Sequence, residues 1–170
     1  MKVIKLKKKF FAEKVKNVKL PNGEVVRIYV IEHNGSVVII PLKNNKIILE
    51  RQFRPVINKW AYELPAWSIE KGETAEECAR RELVEETGYF PKKLKKIFSS
   101  YPSIGYSTEL QHFFVATELK KVGRKPLLHE VIKLKEVSIE EAVDMIKKHK
   151  IIDGKTIQAL LFFVLTSREK

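Results

Sequence analysis

The sequence of 170 residues has a single cysteine and lacks long apolar segments. Its one cysteine, Cys78, excludes an internal disulfide and a metal site built from a cysteine cluster. No segment reaches the roughly 18 consecutive apolar residues that a membrane-spanning helix requires. The basic start is not followed by an apolar segment ending in small residues, which argues against a secretory signal. We therefore expect a soluble, cytoplasmic globular domain.

Arginine is also scarce, with 7 arginines against 26 lysines in a chain of net charge +12. Residues 1–19 hold eight of these lysines and a single acid, Glu13. Such a patch attracts polyanions, but base readout relies on arginine. A solvated, lysine-rich strand edge that resists aggregation is the favoured interpretation, so nucleic acid is not expected as a partner. Abundant lysine and glutamate beside little cysteine and methionine are typical of a thermophilic source.

Hydrophobic residues make up 44% of the chain, which is enough for one core, and no internal repeat is visible. Turn signals lie at Pro21-Asn22-Gly23, at Asn34-Gly35, which we interpret as a hairpin, and at Asn44-Asn45. The apolar patterning predicts strands over 25–33, 36–42, 46–54, 60–66, 95–101, 110–119 and 130–137. These strands predict an α+β fold with a mixed sheet, in which an N-terminal β segment covers 1–34 and the main domain covers 35–170.

Three helices are predicted to cover this sheet. The first follows a capping box that opens at Thr74, and it ends at Gly88. The second begins at Ser138, again with a capping box, and extends to about residue 150. The third spans roughly 155–167, and its apolar face is expected to comprise Ile157, Leu160, Leu161 and Val164.

The segment that indicates chemistry is ETAEECARRELVEETGY, residues 73–89. Glu82, Glu85 and Glu86 are spaced i, i+3 and i+4, so their carboxylates project from one helical face. Like charges at this spacing destabilise a helix. One interpretation is a solvated acidic face balanced by lysines. The other is a site for a hard divalent cation such as Mg²⁺, which takes a few carboxylates and fills its other positions with water and phosphate.

This segment resembles the Nudix box, G-x5-E-x7-R-E-U-x-E-E-x-G-U, in which U is a bulky apolar residue. The positions that match in register are Glu73, Arg81, Glu82, Leu83, Glu85, Glu86, Gly88 and Tyr89. One position departs, because Trp67 stands where the motif opens with glycine. A glycine there would relieve the turn between strand and loop, so the shape of the adjoining loop is left open.

The resemblance extends over residues 25–165 to the ADP-ribose pyrophosphatase branch of the Nudix hydrolases. It includes RIYVIEHNGSVVIIPL, ILERQFRPVINKWAYELPA, the SIGYSTE loop at 103–109 and IIDGKTIQAL near the C-terminus. In the loop, Ile104 replaces the proline associated with ADP-ribose hydrolases. Tyr106 follows Tyr89 by 17 residues, a placement that resembles dinucleoside-polyphosphate hydrolases. The implied fold is a Nudix-type α/β/α sandwich.

The resemblance implies a set of metal ligands. Glu82 and Glu86 would bind Mg²⁺ directly, with Mn²⁺ as an alternative ion. Glu85 would be a third ligand or the base that positions water. The backbone carbonyl of Ala66 would complete the protein ligands.

The resemblance also implies roles in catalysis and substrate binding. Glu109 would be the general base, with Glu130 as a weaker alternative. Arg54 would contact the diphosphate, because a planar guanidinium suits phosphate oxygens. Arg27 would reach the ligand bound by the other subunit of a homodimer. The remaining substrate contacts would come from Glu63, Glu70, Ser103 and Gly105. Arg81 would pair with an acid such as Glu73 or Glu77 to support the helix.

The implied function is a Mg²⁺-dependent pyrophosphohydrolase that cleaves ADP-ribose to AMP and ribose 5-phosphate. Hydrolysis of dinucleoside polyphosphates or other nucleoside diphosphate derivatives is the alternative within this class. An alternative from another class is a non-catalytic Nudix module that binds RNA through the basic N-terminal segment.

Overall fold

The computed structural model describes residues 11–124 and 132–167. The first strands are β1 (Phe11–Lys19), β2 (Val25–His33), β3 (Ser36–Lys43), β4 (Lys46–Arg54), β5 (Lys59–Glu63) and β6 (Ala66–Ser68). The remaining elements are α1 (Ala75–Thr87), β7 (Tyr89–Ser100), β8 (Gln111–Lys121), β9 (Ile132–Ser138), α2 (Ile139–Lys147) and α3 (Gly154–Ser167). The predicted 60–66 strand divides into β5 and β6. Glu130, the alternative base, lies outside the described residues.

The main sheet is mixed and is organised around β3. β3 runs parallel to β8 and antiparallel to β6, and β8 pairs in turn with β7. β4 meets β3 only beside the Asn44-Asn45 turn, where Leu42 pairs with Ile47. Farther from the turn β4 pairs with β5 and β9, while β6 lies next to β3. The sheet therefore opens between β3 and β4, and β6 occupies the opening.

Helices cover both faces of this sheet, which explains the unbroken apolar run in β3. Val37 and Ile39 pack in a cluster with α1, whereas Val38 and Ile40 pack in a second cluster with α2 and α3. The predicted α+β architecture with a mixed sheet is confirmed. Within residues 11–124 and 132–167, no helix is long and apolar enough to cross a membrane.

The caps of α1 match their sequence signals. The Thr74 hydroxyl accepts a hydrogen bond from the Glu77 amide, and the Glu77 carboxylate accepts one from the Thr74 amide. Gly88 ends the helix in the left-handed region at φ 79°. α2 is shorter than predicted: it ends at Lys147, because Lys148 closes its last turn and His149 has a positive φ.

The buried face of α3 differs from the predicted one. Thr156, Ala159 and Leu160 are its buried residues. Leu161, which was expected on this face, is 41% exposed. The packing face thus follows the 156, 159, 160 spacing, and Leu161 lies one residue beyond it on the helix surface.

The N-terminal strands form a separate sheet. β1 and β2 pair antiparallel from Phe11↔His33 to Lys19↔Val25. The predicted turn at Pro21-Asn22-Gly23 connects them. The expectation of a hairpin at Asn34-Gly35 is wrong, since β2 pairs with β1 and β3 belongs to the main sheet. Gly35 has φ 94°, and a Cβ there would lie 3.1 Å from the Leu110 carbonyl oxygen. The Asn34-Gly35 turn therefore passes the chain between two sheets.

We expect Gly88→Ala to lower the free energy of unfolding more than Gly72→Ala does. Both glycines have left-handed φ values, 79° and 85°, which cost an L-residue about 1–2 kcal/mol. A Cβ at Gly88 would lie 2.8 Å from the Arg124 Cγ atom, whereas in the described structure nothing lies within 4 Å of one at Gly72. Chemical denaturation of both variants measures the difference, and equal losses would contradict the close approach.

Candidate functional site

The acidic face of α1 is mostly buried. Glu82 is 3% exposed and Glu86 is 2% exposed, while Glu85 is half-buried. Glu82 and Glu86 are one helical turn apart, on the side of α1 that also carries the buried Ala79 and Leu83. This burial excludes the interpretation of the three glutamates as an ordinary solvated face.

The positive charge of Arg81 offsets part of the negative charge on the acidic face of α1. Its Nε and Nη2 atoms donate to the two carboxylate oxygens of Glu73 at 2.8 and 2.9 Å. Its Nη1 atom donates to Glu82 and lies 3.6 Å from the Glu85 Oε2 atom. The hydrogen bond from Arg81 lowers the pKa of Glu73 and in turn raises the pKa of Arg81. The expected pairing of Arg81 with Glu73 is confirmed. The alternative partner, Glu77, instead accepts a hydrogen bond from the amide of the N-cap residue Thr74.

A cavity of about 410 Å³ lies at the edge of the main sheet. Its lining residues come from the ends of four strands, from the loop before β8 and from the start of α3. They are Ser36, Arg54, Ala66, Trp67, Ser68, Glu109, Gln111 and Lys155. Of the catalytic, metal-binding and substrate-binding residues expected from the sequence, the lining includes Arg54, Ala66 and Glu109. The expected carboxylate ligands of α1, Glu82, Glu85 and Glu86, are not part of this lining. No sequence pattern assigned a role to Ser36, Gln111 or Lys155.

Parallel pairing of β3 with β8 positions Glu109. The first residues of these strands, Ser36 and Gln111, are direct partners in the register. The Ser36 hydroxyl donates to Glu109 Oε1 at 2.7 Å, and the Gln111 side-chain amide donates to the same oxygen at 3.2 Å. One carboxylate oxygen is thereby held at the cavity wall by two neighbouring strands.

The loop that carries Glu109 is attached to β2. The Ile31 amide donates to the Tyr106 carbonyl at 2.7 Å, and the Thr108 amide donates to the Ile31 carbonyl at 3.0 Å. The His33 amide donates to the Thr108 hydroxyl. Ser103 closes the loop internally, because its carbonyl accepts from the Ser107 amide at 2.9 Å. The N-terminal sheet therefore supports the Glu109 loop.

A buried carboxylate holds two cations on another side of the cavity. Arg54 binds Glu63 through two hydrogen bonds of 2.7 and 2.6 Å, and the Lys155 Nζ atom lies 2.8 Å from Glu63 Oε2. Burial alone would raise the pKa of Glu63, but the hydrogen bond from Arg54 and the charge of Lys155 outweigh it and lower the pKa to about 2. Glu63 therefore stays ionised and fixes both cations.

Asp153 ties this group to the start of α3. Its Oδ1 atom accepts from Lys155 at 2.8 Å, and its Oδ2 atom accepts from the Thr156 amide. The Thr156 hydroxyl in turn accepts from the Leu64 amide, next to Glu63. The IIDGKTIQAL segment matches a family pattern, but that match assigned no role to Lys155. The Asp-x-x-Thr pattern at 153–156 is typical of a helix start and could have indicated that Lys155 lies in the first turn of α3.

The donor chemistry fits a hard divalent cation. Glu82, Glu85, Glu86 and the Ala66 carbonyl offer only oxygen atoms, which Mg²⁺ prefers. In the part of the chain that the structure describes, no three acidic, histidine or cysteine side chains converge closely enough to enclose an ion alone. Water and substrate oxygens would therefore supply further ligands, as is usual for Mg²⁺.

A model of the NUDIX domain matches residues 32–160. This chain belongs to the Nudix hydrolase family. It is 38% identical over 154 residues to the ADP-ribose pyrophosphatase of Bacillus subtilis (strain 168), and the alignment covers 89% of this chain and 83% of that protein. It is 36% identical, with the same coverage, to the methanol dehydrogenase activator of Bacillus methanolicus. The resemblance drawn from the sequence is thus confirmed.

This Nudix hydrolase is also similar to a third curated relative and to a solved structure. The chain is 33% identical over 162 residues to the GDP-mannose pyrophosphatase of Salmonella typhimurium, covering 86% of this chain and 82% of the relative. A crystal structure of an ADP compounds hydrolase superposes with a TM-score of 0.80 at 18% identity, covering 96% of this chain and 90% of that one. The structural similarity confirms the Nudix-type sandwich.

Trp67 replaces the opening glycine of the Nudix box without strain. It lies in β6, paired with Val37 of β3, and it is not among the described residues with positive φ. Because the backbone there is extended, the conformational freedom of glycine is unnecessary. The Trp67 side chain is half-buried and lines the cavity.

The remaining residues named from the sequence lie outside the cavity lining. Arg27 is exposed on β2, opposite Asn17 of β1. Ser103 and Gly105 lie on the loop that carries Glu109. Glu70 precedes α1, where its amide donates to the Glu73 carboxylate. In the single chain, none of these four residues lines the cavity with Arg54 and Glu109.

Proposed function

We propose that this Nudix hydrolase is a Mg²⁺-dependent pyrophosphohydrolase that cleaves ADP-ribose to AMP and ribose 5-phosphate. One observation carries the proposal: the cavity has the Glu109 carboxylate on one side and the Arg54–Lys155 cations on another. The Glu109 carboxylate suits a proton acceptor, while the cationic side suits a diphosphate. The identity of 38% to a protein named ADP-ribose pyrophosphatase supports the choice of substrate.

In this proposal Glu82, Glu85, Glu86 and the Ala66 carbonyl hold Mg²⁺, which Mn²⁺ can replace. A bound divalent cation supplies neutralisation of the diphosphate charge and raises the acidity of water. Arg81 keeps the carboxylates in place through its contacts with Glu82 and Glu85. The pKa of Arg54 is raised mainly by its hydrogen bond to Glu63, and the negative charge of Glu86 contributes a smaller part. The acidic face of α1 therefore interacts electrostatically with the cationic side of the cavity.

Glu109 is the proposed general base. The hydrogen bonds from Ser36 and Gln111 reach its Oε1 atom and hold the carboxylate in one orientation. Glu109 then accepts a proton from the attacking water as the phosphorus–oxygen bond breaks. Glu85, the half-buried member of the acidic face, is the alternative base.

Arg54 is the proposed diphosphate contact. Glu63 was expected to contact the substrate, but it is buried and binds Arg54 and Lys155. We therefore assign Glu63 to positioning rather than to contact. Ser103, Gly105 and Glu70 remain proposed substrate contacts, as members of the loops that flank the site.

Another nucleoside diphosphate derivative is the second candidate substrate. The 33% identity to a GDP-mannose pyrophosphatase supports it, as do the exposed Ile104 and Tyr106 on the Glu109 loop. By contrast, the buried positions of Glu82 and Glu86 favour a hydrolase over a non-catalytic RNA-binding module.

A substrate panel tests the choice. Purified protein is incubated with Mg²⁺ and, separately, with ADP-ribose, GDP-mannose and diadenosine polyphosphates, and the products are separated by chromatography. We expect the highest kcat/KM for ADP-ribose, with AMP and ribose 5-phosphate as products. A higher value for another compound would replace ADP-ribose, and Mg²⁺-independent RNA binding without hydrolysis would favour the RNA module.

We also propose a cytoplasmic homodimer in which residues 1–34 form part of the interface. The two-stranded sheet exposes large apolar side chains that a partner would cover. These are Phe11, Val15, Val25, Ile28 and Tyr29. Arg27 lies on the same sheet, outside the cavity of its own chain, and in the proposed dimer it would reach the partner's site. A buried, unpaired Cys78 suits the reducing cytoplasm.

Glu82→Gln and Glu86→Gln are each expected to reduce turnover by orders of magnitude, because a neutral amide is a poor ligand for Mg²⁺. Glu76→Gln is the matched control, since Glu76 lies on the same helix but pairs with Arg80 on its exposed surface. Steady-state kinetics with ADP-ribose and thermal unfolding measure the two effects separately. Activity near that of the wild type in either variant would remove the metal assignment.

Glu109→Gln is expected to lower kcat by about 10²–10⁴ with little change in KM, as for the loss of a general base. Glu118→Gln serves as the control, because Glu118 of β8 forms an exposed ion pair with Lys93 of β7. A change confined to KM would make Glu109 a binding residue instead.

Mixing Arg27→Ala chains with Glu82→Gln chains is expected to restore activity that each variant lacks alone. In a heterodimer, one site combines the intact Glu82 of one chain with the intact Arg27 of the other. The activity of the mixture and its mass by light scattering are measured together. A monomeric mass, or no recovery although labelled subunits exchange, would refute the shared site.

A further inference from the structure

The half-buried His33, the last residue of β2, contacts three separate segments around the cavity. Its main-chain amide donates to the Thr108 hydroxyl at 3.0 Å. Its ring Nδ1 atom accepts from the Gly35 amide at 3.0 Å, and its Nε2 atom lies 3.1 Å from the Ser68 hydroxyl oxygen. These contacts link the N-terminal sheet to the Glu109 loop, to the turn before β3 and to β6.

The two ring nitrogens of His33 have different roles. The Gly35 amide can only donate, so Nδ1 must be the acceptor. In a neutral imidazole the ring proton then lies on Nε2, which donates to the Ser68 hydroxyl oxygen. Both hydrogen bonds require the same tautomer, so together they hold the ring in a single orientation.

The ring contact to Gly35 resembles an Asx turn, in which a side chain accepts a hydrogen bond from the amide two residues later. Gly35 is buried with φ 94°, and its carbonyl accepts from the Ile69 amide at 2.9 Å. The next amide, that of Ser36, donates to the Leu110 carbonyl at 3.0 Å. The turn thereby fixes where β3 starts, and Ser36 in turn holds Glu109.

The ring contact to Ser68 reaches the strand that carries a proposed metal ligand. Ser68 and Ala66 both belong to β6, and both line the cavity. The main-chain contact of His33 reaches Thr108, the neighbour of Glu109. One residue therefore connects the loop of the proposed base directly to the strand of the Ala66 carbonyl.

We propose that His33 is a positioning residue, which sets the spacing between the Glu109 carboxylate and β6. This inference rests on the proposed function only in that Glu109 acts as the general base. A base works within hydrogen-bond reach of its proton, and a misplacement of about 1 Å can cost about 10²-fold in rate. The contact with Ser68 keeps β6 at a fixed distance from β2 and from the loop that β2 supports.

Two substitutions remove the Ser68 contact from opposite sides. In His33→Asn the shorter side chain still accepts from the Gly35 amide, as asparagine does in Asx turns, but it is too short to reach Ser68. Ser68→Ala leaves the ring in place and removes its partner. Ser99→Ala is the matched control, because the exposed Ser99 on β7 lies 3.1 Å from another histidine, His112, outside the cavity lining.

We expect His33→Asn and Ser68→Ala each to lower kcat about ten- to a hundredfold with little change in KM, while Ser99→Ala stays near the wild type. The assay uses the compound that the substrate panel selects. In the Glu109→Gln background His33→Asn should lower kcat little further, because the spacing of an absent base has no effect. Unchanged kcat in both variants would overturn the proposal. Equal losses with and without Glu109 would overturn it too, because they would show that His33 only supports the fold.

Hydrogen exchange measures the positioning without hydrolysis. The Ile69 amide, which donates to the Gly35 carbonyl, lies next to Ser68 and reports on β6. We expect it to exchange several-fold faster in His33→Asn and in Ser68→Ala, while exchange along β7 is unchanged, as for a local opening. Failure of the wild type to hydrolyse ADP-ribose would refute the substrate choice alone. Unchanged exchange at Ile69 would overturn the role of His33 whatever the substrate is.

Discussion

The structure depends on how it accommodates buried carboxylates. Glu82 and Glu86 lie within one turn of α1 and are almost completely buried, where like charges repel strongly. Arg81 offsets this repulsion by binding Glu73, Glu82 and Glu85 from one guanidinium. The same contact ties the loop before α1 to the helix, so the helix and its acidic face are stabilised together.

A second buried carboxylate organises the cationic side in the same way. Glu63 binds Arg54 and Lys155, and its lowered pKa keeps it ionised in any ordinary solution. Arg81 thus binds the acidic residues of α1, while Glu63 binds the two cationic side chains. Glu109 lines the same cavity as Arg54 and Lys155, and the paired starts of β3 and β8 hold it in place.

The topology explains why these groups meet at one edge of the sheet. β3 and β4 separate beyond their turn, and β6 occupies the space between them. That opening places Ala66 beside Ser36 and Arg54 in the lining of the cavity. α1 and α3 lie on opposite faces of the sheet, so the acidic helix and the helix that carries Lys155 belong to different layers.

Features that depend on neighbours along the chain can be predicted from local patterns. The capping box at Thr74, the end of α1 at Gly88, the one-sided spacing of the glutamates and the family all follow from local patterns. Tertiary structure decided the rest. Asn34-Gly35 is a turn, but only strand pairing shows that it joins two sheets instead of closing a hairpin. Lys155 meets Glu63 across 92 residues, and Ser36 meets Glu109 across 73. No local pattern encodes such contacts, because they exist only once the sheet has paired and α3 has packed against it.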